Sequence, residues 1–197
     1  MDYVQWWELQ KVTAAHKVEI DALNLTLNSK LSDFRHSPVI DSWKRQYDQN
    51  CKGKLHRFKS LLFLGGSEQG KSQKAKSIFG PERTLVVNCQ GLGSALPSLR
   101  GFDRATHRAI LFDEGNEQQV LQNKLLFQAG PNLVALSQSV CNQHRYEIFI
   151  YQVAIIICSN RFQLVPDGTV TAEDSEWLNK NIIVAKLPAG EKWYIDQ

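Results

Sequence analysis

The sequence predicts an α/β protein built around a parallel sheet. Short apolar runs without polar alternation are typical of strands buried on both faces, and here they alternate with helical stretches, as in parallel sheets. The clearest runs are Ser60–Leu64, Thr84–Asn88, residues 109–112 and residues 153–158. A glycine-rich segment directly follows the first run, which places a candidate ligand site at the carboxyl end of the sheet.

Size and composition limit the class of protein. A chain of 197 residues is long enough for one domain with a small appendage. Its 43% hydrophobic and 22% charged residues exclude collagen-like, low-complexity and largely disordered classes. Its apolar runs are far shorter than the roughly 20 residues that span a bilayer, and its first residues lack the pattern of a secretory signal. We therefore expect an intracellular protein, cytoplasmic or nuclear, without membrane contact.

Helices are predicted before the first strand. Residues 3–34 contain neither Pro nor Gly, and their apolar residues recur at helical spacing, which predicts one long helix or two shorter ones. Packing within the chain and contact with another subunit both remain open for this segment. Ser37 and Pro38 start a second helix through Trp43 and Tyr47.

The remaining elements follow the same alternation. Helical patterns cover residues 71–79 and 117–129, and residues 171–179 predict an acidic helix. Leu133–Leu136 and residues 146–151 flank a polar stretch, which is typical of a hairpin with a long tip. Residues 182–187 predict a last strand, followed by a short tail.

Charge and cysteine content point to no site by themselves. The formal net charge is only +3, and the four cysteines lack metal-ligand spacing, so we expect reduced thiols in or near the core. One stretch before the first strand is locally basic, and either contact with phosphates or a solvated helix face explains it. Its cations, against the single acid Asp48, are Lys44, Arg45, Lys52, Lys54, Arg57 and Lys59.

The segment after the first strand fits the pattern G-x-x-x-x-G-K-[ST] of a phosphate-binding loop, and it stands between a strand and a helix as that mechanism requires. In such loops, backbone N–H groups cradle the phosphates, the lysine reaches the β- and γ-phosphates and the hydroxyl helps hold Mg²⁺. We expect Glu68 to face solvent and Lys71 to have no packing role. The residues assigned to the cofactors ATP and Mg²⁺ are Gly65, Gly66, Ser67, Glu68, Gln69, Gly70, Lys71 and Ser72.

Two further strands end in polar residues at the same edge of the predicted sheet. Asp113 and Glu114 follow the third strand; Asp113 would hold Mg²⁺ with Ser72, and Glu114 would polarise the attacking water as a general base. The strand over residues 153–158 is followed by Asn160, which would sense the γ-phosphate or orient the water.

The motif order, a phosphate loop, then a D-E strand, then an S-N strand preceded by a hairpin, resembles the superfamily-three helicases. The chain looks most like the ATPase domain of replication-initiator (Rep) proteins from circular single-stranded DNA viruses. The resemblance covers roughly residues 43–187. It implies an AAA+-type P-loop domain with a central parallel sheet flanked by helices, which binds ATP between the subunits of a ring, often a hexamer.

The resemblance also implies a domain division and a partner. It makes residues 1–57 a small helical segment that supports oligomerisation, and residues 58–197 the ATPase domain. In this family the hairpin before the S-N strand carries residues that contact DNA, and His144 and Arg145 occupy the corresponding tip. Single-stranded DNA is therefore the expected partner, with RNA left open.

The same family supplies an arginine finger from a neighbouring subunit, after the S-N strand. Arg161 is the candidate and Lys180 the alternative. Without a clear finger, hydrolysis would be slow, because such a residue contributes a factor on the order of 10³ to 10⁵ in rate. The catalytic set that the resemblance and the motifs together assign is Lys71, Glu114, Asn160 and Arg161.

Three interpretations remain at this point. The first is an ATP-hydrolysing helicase-like motor that acts on single-stranded nucleic acid, in DNA replication. The second is a nucleotide-binding regulatory or interaction protein that descends from such a helicase and hydrolyses ATP weakly or not at all. The third is an RNA helicase with the same motif order. The His-hydrophobic-His metal motif of a nicking domain is missing from the sequence, so we do not expect the chain to cut DNA.

Overall fold

A computed structural model describes residue 18 and residues 33–55, 57–136, 145–188 and 190–195. The helices in this part of the chain are α1 (Pro38–Cys51), α2 (Lys71–Ser77), α3 (Glu117–Gln122), α4 (Lys124–Phe127) and α5 (Ala172–Asn181). The strands are β1 (Ser60–Leu64), β2 (Thr84–Asn88), β3 (Ala109–Asp113), β4 (Leu133–Leu136), β5 (Tyr146–Phe149), β6 (Ala154–Ser159) and β7 (Ile182–Lys186). The helix predicted over residues 3–34 lies almost wholly outside the described residues.

A five-stranded sheet of order β2-β3-β6-β1-β7 forms the centre of the protein, and all of its neighbouring strands pair in parallel. This confirms the predicted α/β class, and the strands lie within one residue of their predicted bounds. β6 lies between β1 and β3, so the strand that precedes the phosphate loop and the D-E strand are not neighbours. All carboxyl ends meet at one edge and all amino ends at the other.

The three inner strands are apolar except at one terminal residue each, Ser60, Asp113 and Ser159, as is typical of strands covered on both faces of a sheet. β6 is buried along its whole length, and β1 and β3 are buried up to their last residue. β2 and β7, at the edges, are each buried only at their first and fourth residues. The fully buried side chains of the inner strands include Leu61, Leu62, Phe63, Ile110, Leu111, Ile156 and Ile157.

Helix α1 packs against β7, and Pro38 is its first residue, as predicted. Trp43, on its inner face, is fully buried, and its indole Nε1–H donates to the Lys59 carbonyl oxygen at 2.6 Å. Gly53, just after the helix, has φ of 70°, a backbone conformation that glycine adopts without steric cost. The helix is therefore anchored to the start of β1.

Four elements depart from the predictions. β5 ends at Phe149, two residues earlier than predicted, and α5 ends at Asn181, two residues later. The single helix predicted over residues 117–129 is interrupted at Asn123, which has φ −124° and ψ 38° and separates α3 from α4. The Asn123 side-chain amide donates to the Gln119 carbonyl oxygen at 2.8 Å, and its backbone N–H donates to Val120. Asn competes for backbone hydrogen bonds in this way, which ends helices. Helix α2 also ends at Ser77, two residues earlier than predicted.

The predicted hairpin is confirmed as a separate two-stranded sheet of antiparallel β4 and β5, with Leu133 opposite Phe149 and Leu136 opposite Tyr146. Its tip, including His144, lies outside the described residues. Helix α5 begins after Thr171, whose hydroxyl accepts from the Asp174 N–H. None of the described helices has the length and apolar character needed to cross a bilayer.

Candidate functional site

The phosphate-loop motif forms the turn between β1 and α2. Gly65 begins it, and its N–H donates to the Ser159 carbonyl oxygen at 3.2 Å, which ties the loop to β6. Gly70 ends it with φ of 79°, in the left-handed region that glycine adopts without steric cost. Glu68 also has a left-handed backbone, with φ of 62°, and it is exposed, as predicted.

Lys71 is buried, with 6% of its surface exposed. Its ammonium donates to the carbonyl oxygens of Gly65 and Gly66, at 3.0 and 2.6 Å, and to Asn160 Oδ1 at 2.7 Å. The expectation that Lys71 has no packing role is therefore wrong. A buried ammonium requires hydrogen-bond acceptors, and the loop and the end of β6 supply them in one place.

Ser72 and Asp113 form the second contact of the site. The Ser72 hydroxyl donates to Asp113 Oδ1 at 2.6 Å, which joins the first turn of α2 to the end of β3. Hydroxyl and carboxylate oxygens are hard ligands of the kind that Mg²⁺ takes, with one or two carboxylates and the rest from phosphate and water. The described residues contain no group of three or more His, Cys, Asp or Glu suited to a metal. The Ser72 and Asp113 pair fits Mg²⁺ held jointly with a nucleotide.

Asn160 joins the lysine to the second carboxylate. Its side-chain NH₂ donates to Glu114 Oε1 and Oε2 at 3.1 Å each, while its Oδ1 accepts from Lys71. The order β3-β6-β1 explains this contact, because the end of β6 lies between the D-E strand and the loop. A single amide thus bridges an ammonium and a carboxylate.

The backbone at Glu114 is unusual for a residue with a side chain. Its φ is 56°, in the left-handed region. Gly115, the next residue, donates its N–H to the Cys158 carbonyl oxygen at 3.0 Å, and a Cβ there would lie 2.9 Å from Ile157 Cγ2. The chain therefore turns tightly against β6 after Asp113. This turn leaves Glu114 exposed at the edge of the sheet, beside Asn160.

A cleft of about 870 Å³ opens beside the loop. Arg161 lies in its wall next to Asn160 and is exposed. Lys186, at the end of β7, lies opposite Leu64 in the sheet register and also lines the cleft. Sequence reasoning missed Lys186, although its place at the carboxyl end of a predicted strand was a usable signal. The remaining lining residues include Gly65, Gly66, Asn116, Gln118 and Gln163.

Residues 190–195, which we call the strap, cover the other side of the loop. The Trp193 N–H donates to the Gln69 carbonyl oxygen at 2.8 Å. The Tyr194 ring lies so close to Gly70 that a Cβ on Gly70 would be 2.5 Å from Tyr194 Cε2. An antiparallel bridge between Phe34 and Tyr194 holds the strap in place. The sequence predicted only a short tail here, because a six-residue segment carries no periodic signal.

Two of the cysteines lie under the site. Cys158 pairs with Asp113 across β6 and β3, and burial together with the Asp113 charge raises the pKa of its thiol well above the usual value. The same two causes raise the pKa of Cys89 to about 12. Both thiols stay protonated at neutral pH. Cys51 is exposed at the end of α1, so the expectation that the cysteines lie in or near the core is wrong for this residue.

The hairpin residues stand apart from this cluster. Arg145 is exposed and directly precedes β5, in the separate two-stranded sheet. The neighbouring Tyr146 accepts a hydrogen bond from the Leu99 N–H at 2.8 Å, and the Arg100 guanidinium lies 4.8 Å from its ring centroid. The structure therefore brings together Lys71, Ser72, Asp113, Glu114, Asn160 and Arg161, and it does not bring Arg145 to them. Lys180, the alternative finger, forms an ion pair with Glu176 on α5.

Comparison with known proteins does not assign the chain to a family. No protein-family model matches it, and no curated protein matches it significantly.

Proposed function

We propose that this protein is a P-loop nucleoside triphosphatase that binds ATP with Mg²⁺ and hydrolyses the bond between the β- and γ-phosphates. The observation that carries the proposal is the Asn160 side chain, which bonds the loop lysine and the candidate base at the same time. Beside it, the contact between Ser72 and Asp113 offers the oxygen ligands that a nucleotide-bound Mg²⁺ takes. A sequence match alone would not require these five groups to converge.

Each group has one role in this proposal. Free backbone N–H groups of the loop and the Lys71 ammonium bind the phosphates. Ser72 and Asp113 hold Mg²⁺, which neutralises charge on the phosphates when it is bound. Glu114 accepts a proton from the water that attacks the γ-phosphorus, and the bond to the bridging oxygen breaks. Asn160 holds the Glu114 carboxylate toward the loop.

Arg161 and Lys186 supply positive charge within the same protomer. Both line the cleft that the Gly65 and Gly66 backbone borders, where the end of a bound triphosphate would lie. A cation at this place stabilises the charge of the transition state, a role that an arginine also fulfils within one chain in some nucleotide hydrolases. We assign this role to Arg161 within its own protomer, and not as the finger expected from a neighbouring subunit, because it adjoins Asn160 in the same cleft.

The finer proposal is that the domain is of the AAA+ type and works as a helicase-like motor on single-stranded nucleic acid, with DNA in replication as the first choice. The motif order, the position of β6 between β1 and β3, and the hairpin before β6 support it. In this proposal the protein assembles into a ring, a hexamer being the family's common form, and His144 and Arg145 contact the strand. His144 lies outside the described residues.

Phosphate release from ATP, measured with and without oligo-dT and oligo-U, tests the proposal. We expect turnover that requires Mg²⁺, rises with one of the two polymers and is lost in Glu114→Gln, which keeps the size of the side chain but cannot accept the proton. Glu173→Gln, at an exposed position of α5, is the matched control. Binding of ATP without turnover in the wild type would favour a regulatory protein, and stimulation by oligo-U alone would favour an RNA helicase.

A further inference from the structure

A second charged surface lies at the amino end of the sheet, opposite the phosphate loop. Because the five strands are parallel, the residues that precede them meet at one edge. Cations precede three of the strands. Arg57 and Lys59 stand before β1, Arg83 before β2, and Arg104 and Arg108 before β3; we call these five residues the amino-edge cluster.

Backbone contacts show that the starts of the strands adjoin each other. The Arg108 N–H donates to the Arg83 carbonyl oxygen at 2.7 Å, and the Ala154 N–H donates to the Arg108 carbonyl oxygen at 2.9 Å. Neighbouring strands lie about 4.8 Å apart. Lys59 precedes β1, on the other side of β6, and its carbonyl oxygen accepts a hydrogen bond from Trp43 Nε1–H of α1. The cluster therefore extends across four strands as a row and not as a single point.

The row has a surplus of accessible positive charge. Arg57, Arg83, Arg104 and Arg108 are exposed, and Lys59 is half-buried. The acidic residues in the same stretches, 57–59, 81–83 and 103–108, are Glu82 and Asp103. Glu82 Oε1 lies 3.8 Å from Arg83 Nε, and the Asp103 carboxylate accepts from Thr106 Oγ1 and the Ala105 N–H. Five cations thus share two carboxylates.

Aromatic rings adjoin the row near the start of β3. The Arg104 guanidinium lies 4.8 Å from the Phe149 ring centroid and donates to the Tyr151 carbonyl oxygen. Phe149 is 37% exposed, and its ring centroid lies 6.3 Å from that of Tyr151. Exposed aromatic rings and guanidinium planes are surfaces on which unpaired bases stack.

We propose that the amino-edge cluster binds the phosphates of a single-stranded nucleic acid, and that a base of the strand stacks at Phe149 and Arg104. A row of cations beside an aromatic ring is the combination that binds single strands. In a duplex the bases stack on each other, so no base is available to stack on the Phe149 ring. The proposal rests on the proposed function only for the choice of polymer. The strand would lie at the amino end of β3, away from Asp113 and Glu114 at its carboxyl end.

The test is binding of fluorescently labelled oligo-dT to the full chain at several KCl concentrations, without nucleotide. For single strands, the slope of log affinity against log salt is about 0.7 per phosphate contact. We expect Arg83→Gln with Arg108→Gln to reduce that slope by up to about 1.4. Phe149→Ala should weaken binding with no change in slope. Lys192→Gln, at an exposed position of the strap, is the control for charge alone.

Titration of a fluorescent ATP analogue against each variant separates this proposal from the proposed function, since the cluster lies away from the loop. An unchanged ATP affinity with a reduced salt slope supports the amino-edge site. A slope in the Arg83 and Arg108 double variant equal to that of the wild type overturns it. Tighter binding of a poly-glutamate peptide or of duplex DNA than of oligo-dT also overturns it.

Discussion

The side-chain NH₂ of Asn160 donates to both carboxylate oxygens of Glu114, at 3.1 Å each. This contact fixes the carboxylate from one side and leaves the amide oxygen to accept from Lys71. Asn160 is thus a positioning residue, because it acts through Glu114 and Lys71.

Asn160→Asp should lower ATP turnover on the order of 10², a loss comparable to removal of one preorganised donor from other active sites. The new carboxylate repels Glu114 but still accepts from Lys71, so nucleotide affinity should change much less. Steady-state phosphate release and ATP binding, measured side by side, distinguish the two effects. Asn132→Asp, at an exposed position before β4, is the matched control. Equal losses of affinity and turnover would assign Asn160 to binding instead.

Lys71→Ala should abolish measurable binding of a fluorescent ATP analogue, because it removes the charge that meets the phosphates. It should also reduce the free energy of unfolding by about 1.5–3 kcal/mol, the range for a hydrogen bond to a charged group, since the buried Lys71 ammonium bonds Gly65, Gly66 and Asn160. Urea denaturation measures this second effect. Lys192→Ala, at an exposed site, should change neither quantity. Wild-type affinity in Lys71→Ala would remove the phosphate-loop assignment.

Asp113→Asn should raise the Mg²⁺ concentration needed for half-maximal turnover by at least about tenfold, the lower range seen when a group around a metal is lost. The amide keeps an oxygen for the Ser72 hydroxyl, so the contact between the two side chains survives. Phosphate release as a function of Mg²⁺ concentration is the measurement. A Mg²⁺ dependence like that of the wild type would place the metal elsewhere.

Gly70→Ala should destabilise the protein more than Gly53→Ala does. Both glycines have left-handed backbones, with φ of 79° and 70°, so alanine costs about 1–2 kcal/mol in conformational strain at either position. A Cβ meets open space at Gly53 but lies 2.5 Å from the Tyr194 ring at Gly70. The difference between the two variants in denaturant midpoint therefore measures the contact between the loop and the strap. Equal midpoints would show that the Tyr194 ring moves away from the added methyl group without a loss of stability.

Alkylation by iodoacetamide should modify Cys51 readily and leave Cys89 and Cys158 unmodified from pH 7 to 9, because the thiolate is the reactive form and burial raises the pKa of both inner thiols. Peptide mapping by mass spectrometry measures the modification at each site. The unfolded chain releases these protons above a pKa of about 8.5, whereas the folded chain retains them. The free energy of unfolding should accordingly fall as pH rises above that value.

The sequence predicts the inner strands well because each is a continuous apolar run bounded by polar residues. Among the inner strands, β1 has the predicted bounds, β3 ends one residue later and β6 shifts by one residue. The edge strand β2 also has its predicted bounds. Asn123 is harder to anticipate, since asparagine occurs inside helices as well as at their ends. The Asn123 side chain interrupts the helix through its hydrogen bond to the Gln119 carbonyl oxygen, which forms only in the folded chain.

The site could be predicted as a set of residues but not as a set of contacts. Lys71, Glu114 and Asn160 belong to three separate sequence motifs. Their side chains meet only because of the order of the strands in the sheet. Burial of Lys71 could not be read from the sequence because its acceptors are backbone carbonyls. The amino-edge cluster could not be predicted as a unit for a related reason, and only Arg57 and Lys59 fall in the basic stretch of the sequence. Its cations are scattered over 52 positions, from 57 to 108, and only the parallel sheet collects them at one edge.

The position of Trp193 in the strap should affect the fluorescence of the protein. Trp193 is 2% exposed, its ring meets Phe63 edge-on with centroids 5.2 Å apart, and its backbone holds Gln69 of the phosphate loop. The emission of an indole depends on the polarity and packing around it. A ligand that moves Gln69 should move Trp193 as well, so we expect the contribution of this one tryptophan, among five in the chain, to the intrinsic fluorescence to change with the state of the loop.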